Sequence, residues 1–218
     1  MPTVHLLRHG EVYNPAHVLY GRLDGYGLSD LGRRMADTVA EDFARRAADG
    51  ADVVVVKASP LLRAQQTAAP LGAALGLPVG TEPRVIEAEN HFEGLRMTRD
   101  ELRRPKHWPY LINPLRPSWG EAYRAQVARV VAAVHDVRAE AESAGGPDAE
   151  AVMVSHQLPI WVTRLSAERR PLWHDPRKRE CGLASVTSFH FTGGDLTGVS
   201  YREPAGALLS GADQLPGA

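Results

Sequence analysis

The chain reads as a three-layer α/β/α protein with a mainly parallel sheet and an antiparallel edge strand, and three observations predict it. Short aliphatic runs, DVVVVK at 52–57 and EAVMVS at 150–155, have the unbroken apolar character of strands covered on both faces. Segments between such runs repeat apolar residues every three or four positions, as amphipathic helices do. The two kinds of segment alternate as β-α-β-α, then an excursion, then α-β-α-β-β, the order of a parallel sheet that ends in an antiparallel hairpin.

The first strand covers Thr3 to Leu7 and empties into the loop Arg8-His9-Gly10. Ser29 is a helix N-cap candidate, and Leu31, Met35, Val39 and Phe43 carry a stripe to about Asp49. After the strand at 52–57, Ser59-Pro60 opens a helix bearing Leu61, Ala64, Ala68, Leu71 and Leu75, which Gly76 and Pro78 stop. A short extended piece is expected around Val85 and Ile86. Residues 90–117 hold Pro105, Pro109, Pro114 and Pro117 with little period, so they read as a lid-like excursion from the core.

Ser118 with Glu121 three residues on has the form of a capping box, and Val127, Val130, Val134 and Val137 carry a long helix to Gly145-Gly146. The strand at 150–155 ends at His156, and a short helix follows Pro159. Two strands near Ala184 to Phe191 and Leu196 to Tyr201, joined by Gly193-Gly194, complete one domain over 1–203. The Gly- and Ala-rich segment 204–218 reads as a loose tail.

Composition narrows the function classes. A chain of 218 residues buries roughly 70% of its unfolded surface, enough for a core without staples. The single Cys181 fits a reducing compartment. With 25 basic against 26 acidic residues, no global field favours nucleic acid or an anionic membrane. The longest apolar runs fall far short of the ~20 residues of a membrane span, so a cytoplasmic protein is expected.

Three predicted strand ends deliver one chemical type of residue: Arg8-His9-Gly10, Ser59 to Arg63, and Ser155-His156. Ligands collect beyond the carboxyl ends of parallel strands, so two histidines and two arginines should meet there. Guanidinium forks match phosphate oxygens, and a neutral imidazole is a competent nucleophile. The cluster points to phosphoryl transfer. Arg63 would sit in the first turn of its helix, against the macrodipole, where it gains nothing structurally. His5 and His17 read as structural residues. The histidines are not arranged with a carboxylate partner as metal ligands, Cys181 stands alone, and no GxGxxG or GxxxxGK[ST] occurs, so neither a metal nor a nucleotide cofactor is expected.

These segments together resemble the histidine phosphatase superfamily, which includes the cofactor-dependent phosphoglycerate mutases. LLRHGE at 6–11, SPLLRAQQTA at 59–68 and VMVSHQLPIW at 152–161 are similar to its three signature segments, in order, and YGRLDGYGLSDLG at 20–32 looks like its first connecting loop. The resemblance implies a phosphoglycerate mutase-like fold over residues 3 to about 201. It implies His9 as the phosphorylated nucleophile, His156 as the second active-site histidine, and Arg8, Asn14, Arg22 and Arg63 as substrate-binding residues. In RVIEAENHFEG at 84–94 it implies Glu87 as the acid, with Glu89 as the alternative because the spacing to Glu93-Gly94 is one residue short.

The expected function is hydrolysis of a small phosphate ester without a cofactor, and no nucleic-acid or membrane partner is expected. Mutase-type return of the phosphate to substrate and a catalytically silent phosphate-binding module are the alternatives, and a homodimer stays open. Two basic runs, Leu95 to Ser118 and Arg164 to Arg179, each hold six cations against two carboxylates. They read either as solvated faces or as a cationic rim favouring a second negative group on the substrate.

Overall fold

The computed structural model describes residues 1–113 and 117–212, so Arg116 of the first basic run and residues 213–218 of the tail lie outside it. Six strands form one sheet in the order β3-β2-β4-β1-β5-β6. They are β1 (Thr3–Arg8), β2 (Val53–Ala58), β3 (Val79–Thr81), β4 (Glu150–Ser155), β5 (Val186–Thr192) and β6 (Asp195–Arg202). The first four are mutually parallel, and β5 and β6 form the antiparallel hairpin at one edge. Register decides where the site falls. Arg8 stands opposite Ser155 and Ala58 opposite Val154, so His9, Ser59 and His156 leave three adjacent strands at nearly the same level.

Helices cover both faces, which is why β1 is buried along its whole length. On one side α1 (Asp30–Ala48) and α2 (Leu62–Leu75) pack Met35, Val39, Phe43, Ala68 and Leu71 against Leu7 and Val154. On the other, α4 (Tyr123–Gly145) and α5 (Gln157–Ala167) bring Val130, Val134, Val137 and Ile160 onto Val4, Leu6 and Met153. Alternate residues of β1 thus serve opposite cores, as the period of two demands. Ser29 caps α1 as expected, its hydroxyl accepting from the Gly32 backbone N–H. A Cβ at Gly10 would come within 2.5 Å of the Gly32 carbonyl, so the loop leaving β1 lies directly on the start of α1.

Several local expectations are corrected. The third strand is Val79–Thr81, and Pro83–Val85 forms a 3-10 turn where an extended piece was expected, because Pro83 sets helical φ and Glu82 caps the Arg84 N–H. The Ser118–Glu121 capping box does not form. Ser118 donates to the Tyr110 carbonyl, Glu121 binds Arg129, and α4 begins at Tyr123 with no side-chain cap. The second helix starts at Leu62 because Ser59 is engaged elsewhere, and α5 starts at Gln157 with Pro159 inside its first turn. The segment after Pro204 is not loose in its described part. Gly206–Gly211 forms a 3-10 turn, and Leu208 and Leu209 pack on the α1 side of the core, because their apolar surface completes that layer. The 90–117 excursion contains the one-turn α3 (Arg99–Leu102) and a 3-10 segment at Pro105–Tyr110.

Candidate active site

The ends of β1, β2 and β4 and the start of α2 converge on a buried cluster. His9, Ser59 and His156 are fully buried and Arg63 is 1% exposed. The imidazoles of His9 and His156 lie 5.1 Å apart between ring centroids. His9 Nδ1 faces the Gly10 carbonyl at 2.8 Å, and a carbonyl can only accept, so Nδ1 carries the proton. His9 Nε2 therefore presents its lone pair, and Arg63 Nε–H donates to it at 3.3 Å. Arg63 is held in turn by Gly21, whose carbonyl accepts from Nη2 at 2.6 Å, and by the Tyr20 ring beneath its guanidinium at 4.7 Å.

His156 is held differently. Its Nε2 shares a hydrogen bond of 2.8 Å with Ser59 Oγ, which also accepts from the Leu61 N–H. Its Nδ1 is buried with no hydrogen-bond partner among the described residues. Burial holds both histidines well below the usual imidazole range, with the Arg63 guanidinium adding to the effect on each. Both rings are neutral at physiological pH.

Glu87 completes the cluster from the segment after the Pro83 turn. It is 8% exposed, its Oε1 accepts from the Ala88 N–H at 2.8 Å, and burial pushes its carboxyl up despite the opposing charges of Arg63, Arg179 and Arg8. Glu89 is different. It points outward, 70% exposed, in an ion pair with Arg22. Arg8 is buried beside the cluster, with Nη1 donating to the Cys181 carbonyl at 2.7 Å.

Of the residues expected to bind substrate, Arg8 and Arg63 join the histidines and two do not. Arg22 is drawn away by three acceptors, the Glu87 carbonyl at 2.7 Å, Glu89 at 2.8 Å and Glu121 at 3.2 Å. Asn14 uses both ends of its amide on the Val18 backbone, closing a turn in the β1–α1 loop. It lines a cavity of about 210 Å3 with Arg8, Glu11 and Tyr20, without reaching the histidine pair. Sequence reasoning missed Ser59, which looked like a helix start, and Tyr20. Among the described residues no group of three or more His, Cys, Asp or Glu is arranged to hold a metal ion, and no helix is long and apolar enough to cross a membrane.

Two neutral imidazoles and a guanidinium thus meet at the carboxyl end of a parallel sheet, where the ligands of such sheets collect. The family profile of the histidine phosphatase superfamily (branch 1) matches residues 4–204, and the chain belongs to that superfamily. An uncharacterized protein of Mycobacterium tuberculosis (strain ATCC 25618 / H37Rv) is 48% identical over 204 residues, covering 93% of this chain and 96% of its own. Glucosyl-3-phosphoglycerate phosphatase of Mycolicibacterium vanbaalenii is 33% identical over 169 residues, 69% of this chain and 67% of that protein. The solved native structure of a mycobacterial glucosyl-3-phosphoglycerate phosphatase superposes with a TM-score of 0.70 at 27% identity, covering 92% and 95% of the two chains. Homologues and fold alike are those of phosphoglycerate mutase-like phosphatases.

Proposed function

We propose that the protein is a phosphomonoesterase that hydrolyses a small phosphorylated metabolite through a phosphohistidine on His9. The observation that carries this reading is the fixed tautomer of His9, whose Nδ1–H is committed to Gly10 while the Nε2 lone pair faces Arg63. In the first step the Nε2 lone pair forms the N–P bond as the P–O ester bond breaks, and Glu87 gives its proton to the departing alkoxide. In the second, the Glu87 carboxylate takes a proton from water, whose oxygen attacks phosphorus, and the N–P bond returns its electrons to Nε2. Arg8 and Arg63 carry the charge on the phosphate oxygens, with the His156 imidazole beside them. The raised affinity of Glu87 for its proton suits the first step, which needs an acid.

Substrate entry requires movement, because His9 has no exposed surface. Arg63 must exchange its bond to Nε2 for one to a phosphate oxygen, and its hold on Gly21 couples that exchange to the loop carrying Tyr20. Hydrolysis is favoured over phosphate return by those relatives that carry a functional name, the glucosyl-3-phosphoglycerate phosphatases.

Brief incubation with 32P-labelled substrate followed by quenching tests the reading. The expected adduct is labile in acid, stable in base and located on His9. An acid-stable label on Ser59 would overturn it. The phosphate-facing positive charge in this mechanism belongs to arginine, so a chelator is expected to leave the rate unchanged. Recovery of a chelator-inhibited rate by a divalent ion would contradict that assignment.

A further inference from the structure

Glu87 stands on a segment with no strand or helix to fix it, between the 3-10 turn at Pro83–Val85 and the 90–117 excursion. Two arginines grip that segment by its backbone. Arg129, from α4, donates Nη1 to the Arg84 carbonyl at 2.5 Å, and Arg22, from the β1–α1 loop, donates Nε to the Glu87 carbonyl at 2.7 Å. One carboxylate holds both guanidiniums. Glu121 takes Arg129 in a bidentate pair, from Nε at 2.8 Å and Nη2 at 2.9 Å, and accepts from Arg22 Nη2 at 3.2 Å. Its own N–H donates to the Glu89 carbonyl, which ties the hub to the same segment. All three side chains are half-buried, so their pairing is less screened than that of ions on an open surface.

The second observation lies one peptide away. The Gly21 carbonyl accepts from Arg63 Nη2 at 2.6 Å, so neighbouring residues of one loop serve the phosphate-facing guanidinium and the backbone of the acid. That loop is pinned where they meet. The Arg22 N–H donates to Glu93 Oε1 at 3.0 Å, and Gly21, at φ +41°, has the Glu93 side chain where a Cβ would stand. Any larger residue at position 21 would meet both a clash and a strained φ.

We infer that Arg22, Glu121 and Arg129 form a clasp of positioning residues for Glu87, and that Arg22 links this clasp to Arg63 through the Gly21 peptide. The inference rests on the proposed role of Glu87 as proton donor. An acid works only within hydrogen-bond reach of the leaving oxygen, and a displacement of about 1 Å at a reacting group costs up to about 10^2-fold in rate. Arg129 acts through the acid alone. Arg22 acts through the acid and through Arg63 together, so the two arginines carry separable kinetic signatures.

The test measures kcat and KM on 4-nitrophenyl phosphate and on the fastest alkyl ester from a panel of sugar and glycerol phosphates, for the wild type, Glu87→Gln, Arg129→Met and Arg22→Met. Arg129→Met is expected to lower kcat on the alkyl ester about tenfold with KM unchanged, and to leave nitrophenyl phosphate within about twofold. Arg22→Met is expected to lower kcat on both esters, the alkyl one more, and Arg22→Lys to recover part of the loss. The ratio of the two rates does not depend on the folded fraction, so a merely destabilised variant leaves it unchanged. Arg129→Lys, which keeps a charge beside Glu121, carries the same comparison at smaller amplitude. An unchanged ratio in both Arg129 variants, or a raised KM with unaltered kcat in Arg22→Met, overturns the clasp, while a leaving-group dependence in Glu87→Gln keeps the acid in place. Absence of that dependence in Glu87→Gln overturns the acid and the clasp together.

Discussion

His5 lies within β1 and His9 four residues on, just past its carboxyl end; both are buried, and their surroundings are opposite. His5 has a partner at each nitrogen, Ser188 Oγ at 2.7 Å and Glu150 Oε2 at 2.9 Å, and Arg46 closes the group by pairing with Glu150 at 3.1 Å. His9 faces the guanidinium of Arg63 and lies in the field of Arg8, and the hydrogen bond at its Nε2 comes from a cation. One histidine is a satisfied structural residue. The other is held neutral with a lone pair exposed to groups that bind anions. Burial alone does not distinguish them; the sign of the neighbouring charge does.

That contrast is broken or sharpened most forcefully by alanine. His9→Ala is expected to reduce turnover by about 10^4-fold or more while the folded far-UV signal persists, as for loss of a nucleophile acting within a unit. His5→Ala is expected to do the reverse, losing about 2–4 kcal/mol of stability and keeping kcat within a few-fold, because it opens a cavity and unties Glu150 and Ser188. Equal kinetic losses in the two variants would erase the distinction. Steady-state kinetics with denaturant unfolding on the same preparations decides it.

Arg63→Ala is expected to lower kcat by about 10^3-fold and Arg63→Lys by about 10^2-fold, since a point charge cannot reproduce a bidentate fork. The Arg46→Ala change beside His5 should leave kcat nearly unaltered. At Glu87 the expected loss depends on the leaving group. Glu87→Gln should slow alkyl phosphates about 10^2-fold and nitrophenyl phosphate only a few-fold, because nitrophenolate leaves without a proton. Glu89→Gln, at an exposed carboxylate outside the cluster, should show no such dependence. If the dependence appears at Glu89 instead, the acid has been misassigned.

The smallest expected effect is on stability in acid. Burial depresses the proton affinity of His5, His9 and His156, so each stabilises the fold above its unfolded value of about 6.5 and that contribution is lost as pH falls through the folded value. Within that window each group steepens the decline by about 1.4 kcal/mol per pH unit. Glu150 partly offsets the depression at His5, while Arg63 deepens it at His9 and His156. Chemical denaturation between pH 7 and pH 5 should therefore show a gentler acid slope in His9→Gln than in His5→Gln. Glu87 has the opposite sign, contributing at low pH and losing that contribution as pH rises through its raised value.

Much of this was legible in the chain. Unbroken aliphatic runs located β2 and β4, and a largely apolar one located β1, because a strand covered on both faces has little polar side to show. The polar residues that follow those runs, Arg8-His9, Arg63 and His156, marked the site for the same reason: chemistry begins where the buried run stops. The Gly193-Gly194 turn marked the edge hairpin, since both glycines adopt the positive φ that a two-residue connection needs. Errors came where local signals were outbid by distant partners. Ser118 and Glu121 have capping-box spacing, yet Tyr110 and Arg129 claim their side chains.

The sequence by itself therefore determined the layers, the order of the elements and which three loops face one another, because hydrophobic periodicity and short connections are local properties. Only the tertiary structure decided that Arg22 serves Glu89 and Glu121, and that Glu87 is inside while Glu89 is outside. Those outcomes depend on which carboxylates and carbonyls arrive from segments up to about a hundred residues away, and charge spacing along a chain carries no information about distances across a fold.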